Sequence, residues 1–157
     1  MAVTAKVYSH APLAALEKLV NLETDTIKFM LCTSSYTPDQ DAHDFKDDVT
    51  NEISGTGYTA GGAAAANPAV TISGKVVTFD ADDVQWVSST LTARYAVGYD
   101  DTPAGDGNKP LLVLIDFGEN KSSENGTFKL QFNASAFWTL QHLYQYRFHK
   151  GIPPIPV

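Results

Sequence analysis

Five aspartates crowd one stretch, Asp39, Asp41, Asp44, Asp47 and Asp48, and a second acidic loop carries Asp100, Asp101 and Asp106 with Asn108. Carboxylates at this density suit calcium, which takes about six to eight oxygen ligands. Read as an EF-hand loop from Asp39, the first stretch fails: the sixth position is Asp44 where glycine is required, and the twelfth is Thr50 where glutamate is required. A solvated charged face is expected there, and an ordinary Asp-Gly turn in the second loop. Asp82 and Asp83 beside Trp86 imitate a sugar-cleaving carboxylate pair, but that chemistry needs a geometry that chain spacing does not set. Gly55-Thr-Gly57-Tyr-Thr-Ala60 imitates a dinucleotide fingerprint, yet no strand precedes it and no helix pattern follows. Nucleophile-elbow, phosphate-loop and His-Glu-x-x-His motifs do not occur. His10, His43, His142 and His149 are scattered and read as surface or interface histidines, and Cys32 continues an apolar run as a small buried hydrophobe. We therefore assign no catalytic, cofactor-binding or metal-binding residue, and expect no cofactor and no enzyme activity.

The elements that would position these residues must fit 157 residues, a length suited to one domain. Eighteen acidic against eleven basic residues, the latter scattered, argue against a nucleic-acid binder, because phosphate contacts need clustered Lys and Arg. One cysteine excludes an internal disulfide framework and a cysteine-based zinc site. The longest strongly apolar run, Leu111 to Ile115, is far short of a membrane span, and the N-terminus lacks a signal-peptide pattern. The expectation is a soluble protein folded in a reducing cytosol, with no nucleic-acid or membrane partner.

The organising stretch is Asp25 to Tyr36, where Ile27, Phe29 and Leu31 alternate with Thr26, Lys28 and Met30, the pattern of a half-buried central strand. Before it, Met1 to Ser9 suits a terminal arm or an edge strand, and Pro12 opens a helix with the apolar stripe Leu13, Leu16, Leu19 and Val20, ended near Asn21. After it, Phe45 and Val49 among the aspartates predict a short surface helix, and Tyr58 is placed to anchor the glycine-rich segment from Ile53 to Gly62. Ala69 to Ser73 and Lys75 to Asp80 predict a hairpin about Gly74, with Trp86 standing apart beyond an acidic turn. Leu91 to Tyr99 predicts a strand with Leu91, Ala93, Tyr95, Val97 and Tyr99 on one face. Leu111 to Phe117 reads as a strand covered on both faces, Gly118 to Gly126 as a polar loop, and Thr127 to Asn133 as a one-sided strand. Short strands with one or two short helices in the N-terminal half argue for a mainly β protein, an antiparallel β-sandwich.

The run Asp25 to Gly62, with "MLCTSSYTPDQDAHDFKDDVTNEISGTGYTAGG", resembles a family of tailed-bacteriophage structural proteins. The resemblance continues through "TFDADDVQW" at Thr78 to Trp86, "TARYAVGYDDTP" at Thr92 to Pro103 and "LIDFGENKSSENGTFKLQFN" at Leu114 to Asn133. It implies a non-enzymatic virion protein made in the bacterial cytoplasm, a capsid decoration or cement protein or, alternatively, a tail or head-tail component. It also implies a jelly-roll-like topology, with the major capsid protein or copies of the same chain as partners. A carbohydrate-binding module stacking sugars on Trp86 or Trp138 is the alternative from another class.

Residues 1–140 are expected to form the sandwich and 141–157 an extension, because the chain continues past Phe137-Trp-Thr-Leu140, where the family pattern tends to stop. Pro153, Pro154 and Pro156 forbid a continuing helix, while the apolar residues are too many for a disordered tail. An extended arm docking on a neighbouring subunit meets both facts, as does a last strand folded back on its own domain. The arm reading takes Tyr144, Tyr146, Arg147, Phe148, Ile152 and Ile155 as interface residues, aromatics and Arg being enriched at hot spots.

Overall fold

A computed structural model of the chain describes residues 3–74, 76–132 and 138–141, the last stretch by its backbone. The elements are β1 (Thr4–Val7), α1 (His10–Leu16), β2 (Ile27–Cys32), β3 (Ala63–Ala64), β4 (Ala69–Ser73), β5 (Val76–Asp80), β6 (Val84–Asp100), β7 (Leu111–Leu130) and β8 (Trp138–Gln141). All strand pairings are antiparallel: one sheet has the order β1-β7-β6-β2-β3, the other β4-β5-β8. The mainly β expectation holds, and the Gly74 hairpin forms with Ser73 opposite Val76.

The period-two reading of β2 groups Ile27, Phe29 and Leu31 on one face as expected, but the strand is buried on both faces rather than half-buried. Ile27, Phe29 and Leu31 enter one apolar cluster, and Met30 and Cys32 enter a second on the other face. The first cluster also takes Ala11 and Ala14 of α1, Phe79 of β5, and Trp86, Phe128 and Leu130. The second gathers Tyr8, Tyr36, Val97, Tyr99, Leu111 and Leu114. The larger sheet is thus buried on both faces where β2, β6 and the start of β7 meet, so Leu111 to Ile115 carry no polar side chain. The centre of that sheet is β6; β2 lies between it and the two-residue β3.

Four expectations need correction. The apolar stripe is split: Leu13 and Leu16 of α1 and Leu19 beyond it are 48%, 83% and 48% exposed, while Val20 is buried as expected and the helix itself buries Ala11 and Ala14. The helix lies against β7 through its alanines, whose small side chains allow a close approach. It also ends before Asn21, at Lys18 in the left-handed region (φ 61°), where Leu19 N–H donates to Ala14 O and Lys18 N–H to Ala15 O, a Schellman closure.

The expected acidic surface helix is instead a run of turns with one 3₁₀ turn, Lys46–Asp48. Asp39 Oδ1 accepts from the backbone N–H groups of Asp41 and Ala42, and Asp48 Oδ2 from those of Asp44 and Phe45. Aspartates that satisfy nearby N–H groups remove the reason to form a helix.

Gly118 to Gly126 is strand, not loop: β7 runs unbroken to Leu130 and pairs with β6, which starts at Val84 and so takes in Trp86. Serines make this possible, since Ser122 Oγ meets Thr92 Oγ1 at 2.8 Å and Ser123 Oγ meets Ser89 Oγ at 2.8 Å. The single aromatic face expected of Leu91 to Tyr99 is split. The register shifts between Ala93 and Tyr95, where β7 swells around Gly118 (φ 77°). Leu91 and Ala93 therefore face the first cluster, and Val97 and Tyr99 the second.

Candidate functional site

The acidic stretch spends its carboxylates locally. Beyond the turns of Asp39 and Asp48, Asp41 Oδ1 accepts from Ser9 Oγ at 2.6 Å. Asp44 lies 3.9 Å from His10 Nδ1, whose ring packs on Phe45. The second acidic loop is bound by its own Lys109 and by two lysines from distant segments, Lys28 and Lys46. Asp101 holds Lys28 at 2.5 Å and Lys109 at 2.7 Å, and Asp106 holds Lys46 at 2.7 Å. Those lysines keep the carboxyls of Asp101 and Asp106 below the usual carboxylate range. Lysine occupies the positions a cation would take, and among the described residues no group of three or more His, Cys, Asp or Glu is arranged to hold a metal.

Asp82 and Asp83 are divided between partners as well. Asn67 Nδ2 donates to Asp82 at 2.6 Å, while Asp83 accepts from Lys129 Nζ at 2.7 Å and Phe132 N–H at 2.8 Å. They line an open hollow of about 470 Å³ with Asp80, Gln85 and Lys129. Lys129 and the Phe132 amide hold the Asp83 carboxyl below its ordinary value, opposite to what a general acid needs. Trp86 is 5% exposed, enclosed by Tyr58 and Phe128, and offers no face for a sugar to stack on.

The nucleophile candidates are buried and quiet. Burial pushes the Cys32 thiol up to about 12, with the Glu52 carboxylate adding to it. Tyr8 and Tyr36 share a hydroxyl contact of 3.1 Å, and Tyr36 continues to His43 Nδ1 at 3.0 Å. Burial raises the Tyr36 phenol to about 12 and Tyr8 further, so this chain of hydroxyls is structural cement between β1 and the turn after β2. His10 departs from the surface expectation: its side chain is 16% exposed and its Nε2 is buried without a hydrogen-bond partner.

The glycine-rich segment serves packing. Tyr58 O–H donates to Glu52 Oε1 at 2.6 Å and accepts from Leu31 N–H at 3.0 Å, anchoring the segment as expected. A Cβ at Gly55 would lie 2.7 Å from the Thr90 carbonyl oxygen and Gly57 has φ 80°, which explains the glycines of the fingerprint-like run without any nucleotide.

What remains is exposed apolar surface. Outward apolar side chains comprise Leu13, Leu16 and Leu19 around α1, Val3 at 59%, Val87 at 59%, and Ile72 at 72% on the β4–β5 hairpin. Periodicity marked the Leu stripe; the error lay in turning it inward. The expected interface residues Tyr144, Tyr146, Arg147, Phe148, Ile152 and Ile155 lie outside the described residues. A cavity of about 300 Å³ opens beside the outer edge of β7, lined by Val3, Phe117, Phe128 and Leu130 with Lys121 and Lys129. Comparison with family models, curated proteins and solved structures found no match.

Proposed function

We propose that this chain is a non-enzymatic structural protein of a tailed-phage virion, a decoration or cement protein that binds neighbouring capsid subunits and further copies of itself on the head. In this reading the two antiparallel sheets form a sandwich of jelly-roll type. The observation that carries it is the outward Leu13 and Leu16 of a helix that packs through alanine, with the outward Leu19 just past its end. Apolar side chains grouped on one exposed helix mark a protein contact, whereas the titratable groups are held in ion pairs and turns. The resemblance of the stretches between Asp25 and Asn133 to phage structural proteins supports the same reading. Attraction would come from apolar area, and many copies on one lattice would sum individually modest contacts.

Cryo-electron microscopy of purified particles, with the copies of this chain counted, tests the proposal. Icosahedral register on the shell is the expected result. A few copies on the tail axis would make it a tail component, and absence from the particle would overturn a virion role.

A further inference from the structure

Among the described cations, Lys28, Lys46, Arg94, Lys109, Lys121 and Lys129 are all in ion pairs, whereas Lys6 and Lys18 are not. Lys18 is exposed at the end of α1, but Lys6 stands at the rim of a hollow. The larger sheet builds the floor of that hollow. Thr4 pairs with Asp116, Asp116 with Tyr95, and Lys6 with Leu114, so the register puts these side chains on the face of the second cluster. The segment after Tyr36 builds the wall. Tyr36 is buried in that cluster and meets Tyr95 edge-on at 5.9 Å, and Gln40 C=O accepts from Ser9 N–H at 2.9 Å, which fixes Pro38 and Gln40 beside the sheet. Floor and wall enclose about 200 Å³. An apolar cavity of about 150 Å³ already admits benzene.

What the hollow can hold follows from which of its groups are already committed. Asp116 accepts from Arg94 Nε at 2.8 Å and from Gly118 N–H at 2.7 Å, so its charge is matched within the chain. Lys6 has no ion pair, and the Thr4 and Tyr95 hydroxyls and the Gln40 side-chain amide make no hydrogen bond among the described residues. An ammonium only donates, and hydroxyls and an amide can donate beside it, so the unspent capacity suits an acceptor-rich anion. One lysine matches one negative charge, while Leu114, Pro38 and the Tyr95 ring offer apolar surface to the rest of a ligand.

We propose that this hollow binds a small monocarboxylate with a single-ring body, its carboxylate on Lys6 Nζ and its ring over Leu114 between Pro38 and Tyr95. The site draws nothing from the α1 leucines and so is independent of the assembly reading.

Titration of the isotope-labelled full-length protein with benzoate, followed by its backbone amide NMR shifts, tests the proposal. Saturable shifts at Lys6, Gln40, Tyr95 and Leu114, with a Kd on the order of 1 mM for so small a ligand, are the expected result. Benzamide has the same ring without the charge and should bind at least about tenfold more weakly; Lys6→Gln should weaken benzoate by a similar factor, and Lys6→Arg should retain it. Lys6 is exposed, so neither variant should disturb the fold, which the remaining amide shifts report. The absence of saturable shifts at these residues, or saturable shifts confined to another region, overturns the site. Benzamide binding as well as benzoate, or Lys6→Gln binding as well as the parent, overturns the carboxylate assignment.

Discussion

Asp100 is fully buried at the end of β6, and replacing it by asparagine should stabilise the protein at neutral pH. Its Oδ1 accepts from Thr102 N–H at 2.8 Å, while Oδ2 is buried without a hydrogen-bond partner. The Asp25 carboxyl faces it, and Asp101 next in the chain is neutralised by Lys28 and Lys109. Burial first, and the Asp25 charge after it, raise the Asp100 carboxyl above the ordinary carboxylate value, against the pull of the Thr102 bonds. A folded value above the unfolded one means that its contribution to stability is complete below the unfolded value, roughly 3.9, and is lost as pH rises through the folded value. In D100N the amide oxygen keeps the Thr102 bond and the amide N–H can donate toward Asp25. The relief should be on the order of 1–3 kcal/mol at pH 7, the usual cost of an unsatisfied buried polar group. At about 2–4 °C per kcal/mol for a chain of this size, that is a rise of several degrees in Tm. Thermal unfolding followed by circular dichroism between about pH 4 and 8 should show the two proteins diverging as pH rises and converging near the unfolded value. Taking the difference removes the opposite trend of Asp48, Asp83, Asp101, Asp106, Asp116 and Glu119, whose lowered values lose stability as pH falls. A constant offset at every pH, or a D100N protein less stable than the parent at pH 7, would refute the reasoning.

Leu16→Gln should leave unfolding within about 0.5 kcal/mol of the parent, because the side chain is solvent-facing, while reducing particle binding. Ala14→Leu, on the buried face of the same helix, should cost about 1–3 kcal/mol by overpacking against β7; equal effects of the two in urea would reverse the helix orientation. Tyr58→Phe removes the donor to Glu52 and the acceptor for Leu31 N–H, and should cost about 1–3 kcal/mol by chemical denaturation; an unchanged midpoint would deny the anchor role. Cys32 should resist a thiol reagent in the folded protein at pH 8 and react only as fast as the protein opens, since burial holds its thiol up at about 12; immediate labelling would contradict that burial.

The parts legible in the sequence are those where one physical effect acts alone. β2 and the end of β7 alternate because successive side chains of each strand meet different surroundings on its two faces, so period two placed both as strands, although the second face of β2 is buried as well. Tyr58 was legible for a similar reason: an aromatic among glycines has no local partner and must find a distant one. The failures come where two effects compete. Around α1 the spacing of the large apolar side chains would turn Leu13 and Leu16 inward, but contact with a flat sheet favours the small face, and Ala11 and Ala14 win. Between Asp39 and Asp48 the helical spacing of Phe45 and Val49 competes with carboxylates that bind nearby N–H groups, and the carboxylates win. From Gly118 to Gly126 turn-forming composition competes with the ladder β6 offers, and cross-strand hydroxyl pairs tip it to strand. The pairing of Lys28 with Asp101 and of Lys46 with Asp106 left no local trace, because it depends on how distant segments are brought together. The same logic makes the α1 surface informative. An inward alanine face leaves the leucines out of the fold's own packing, which is why the proposed contact with other subunits is placed there.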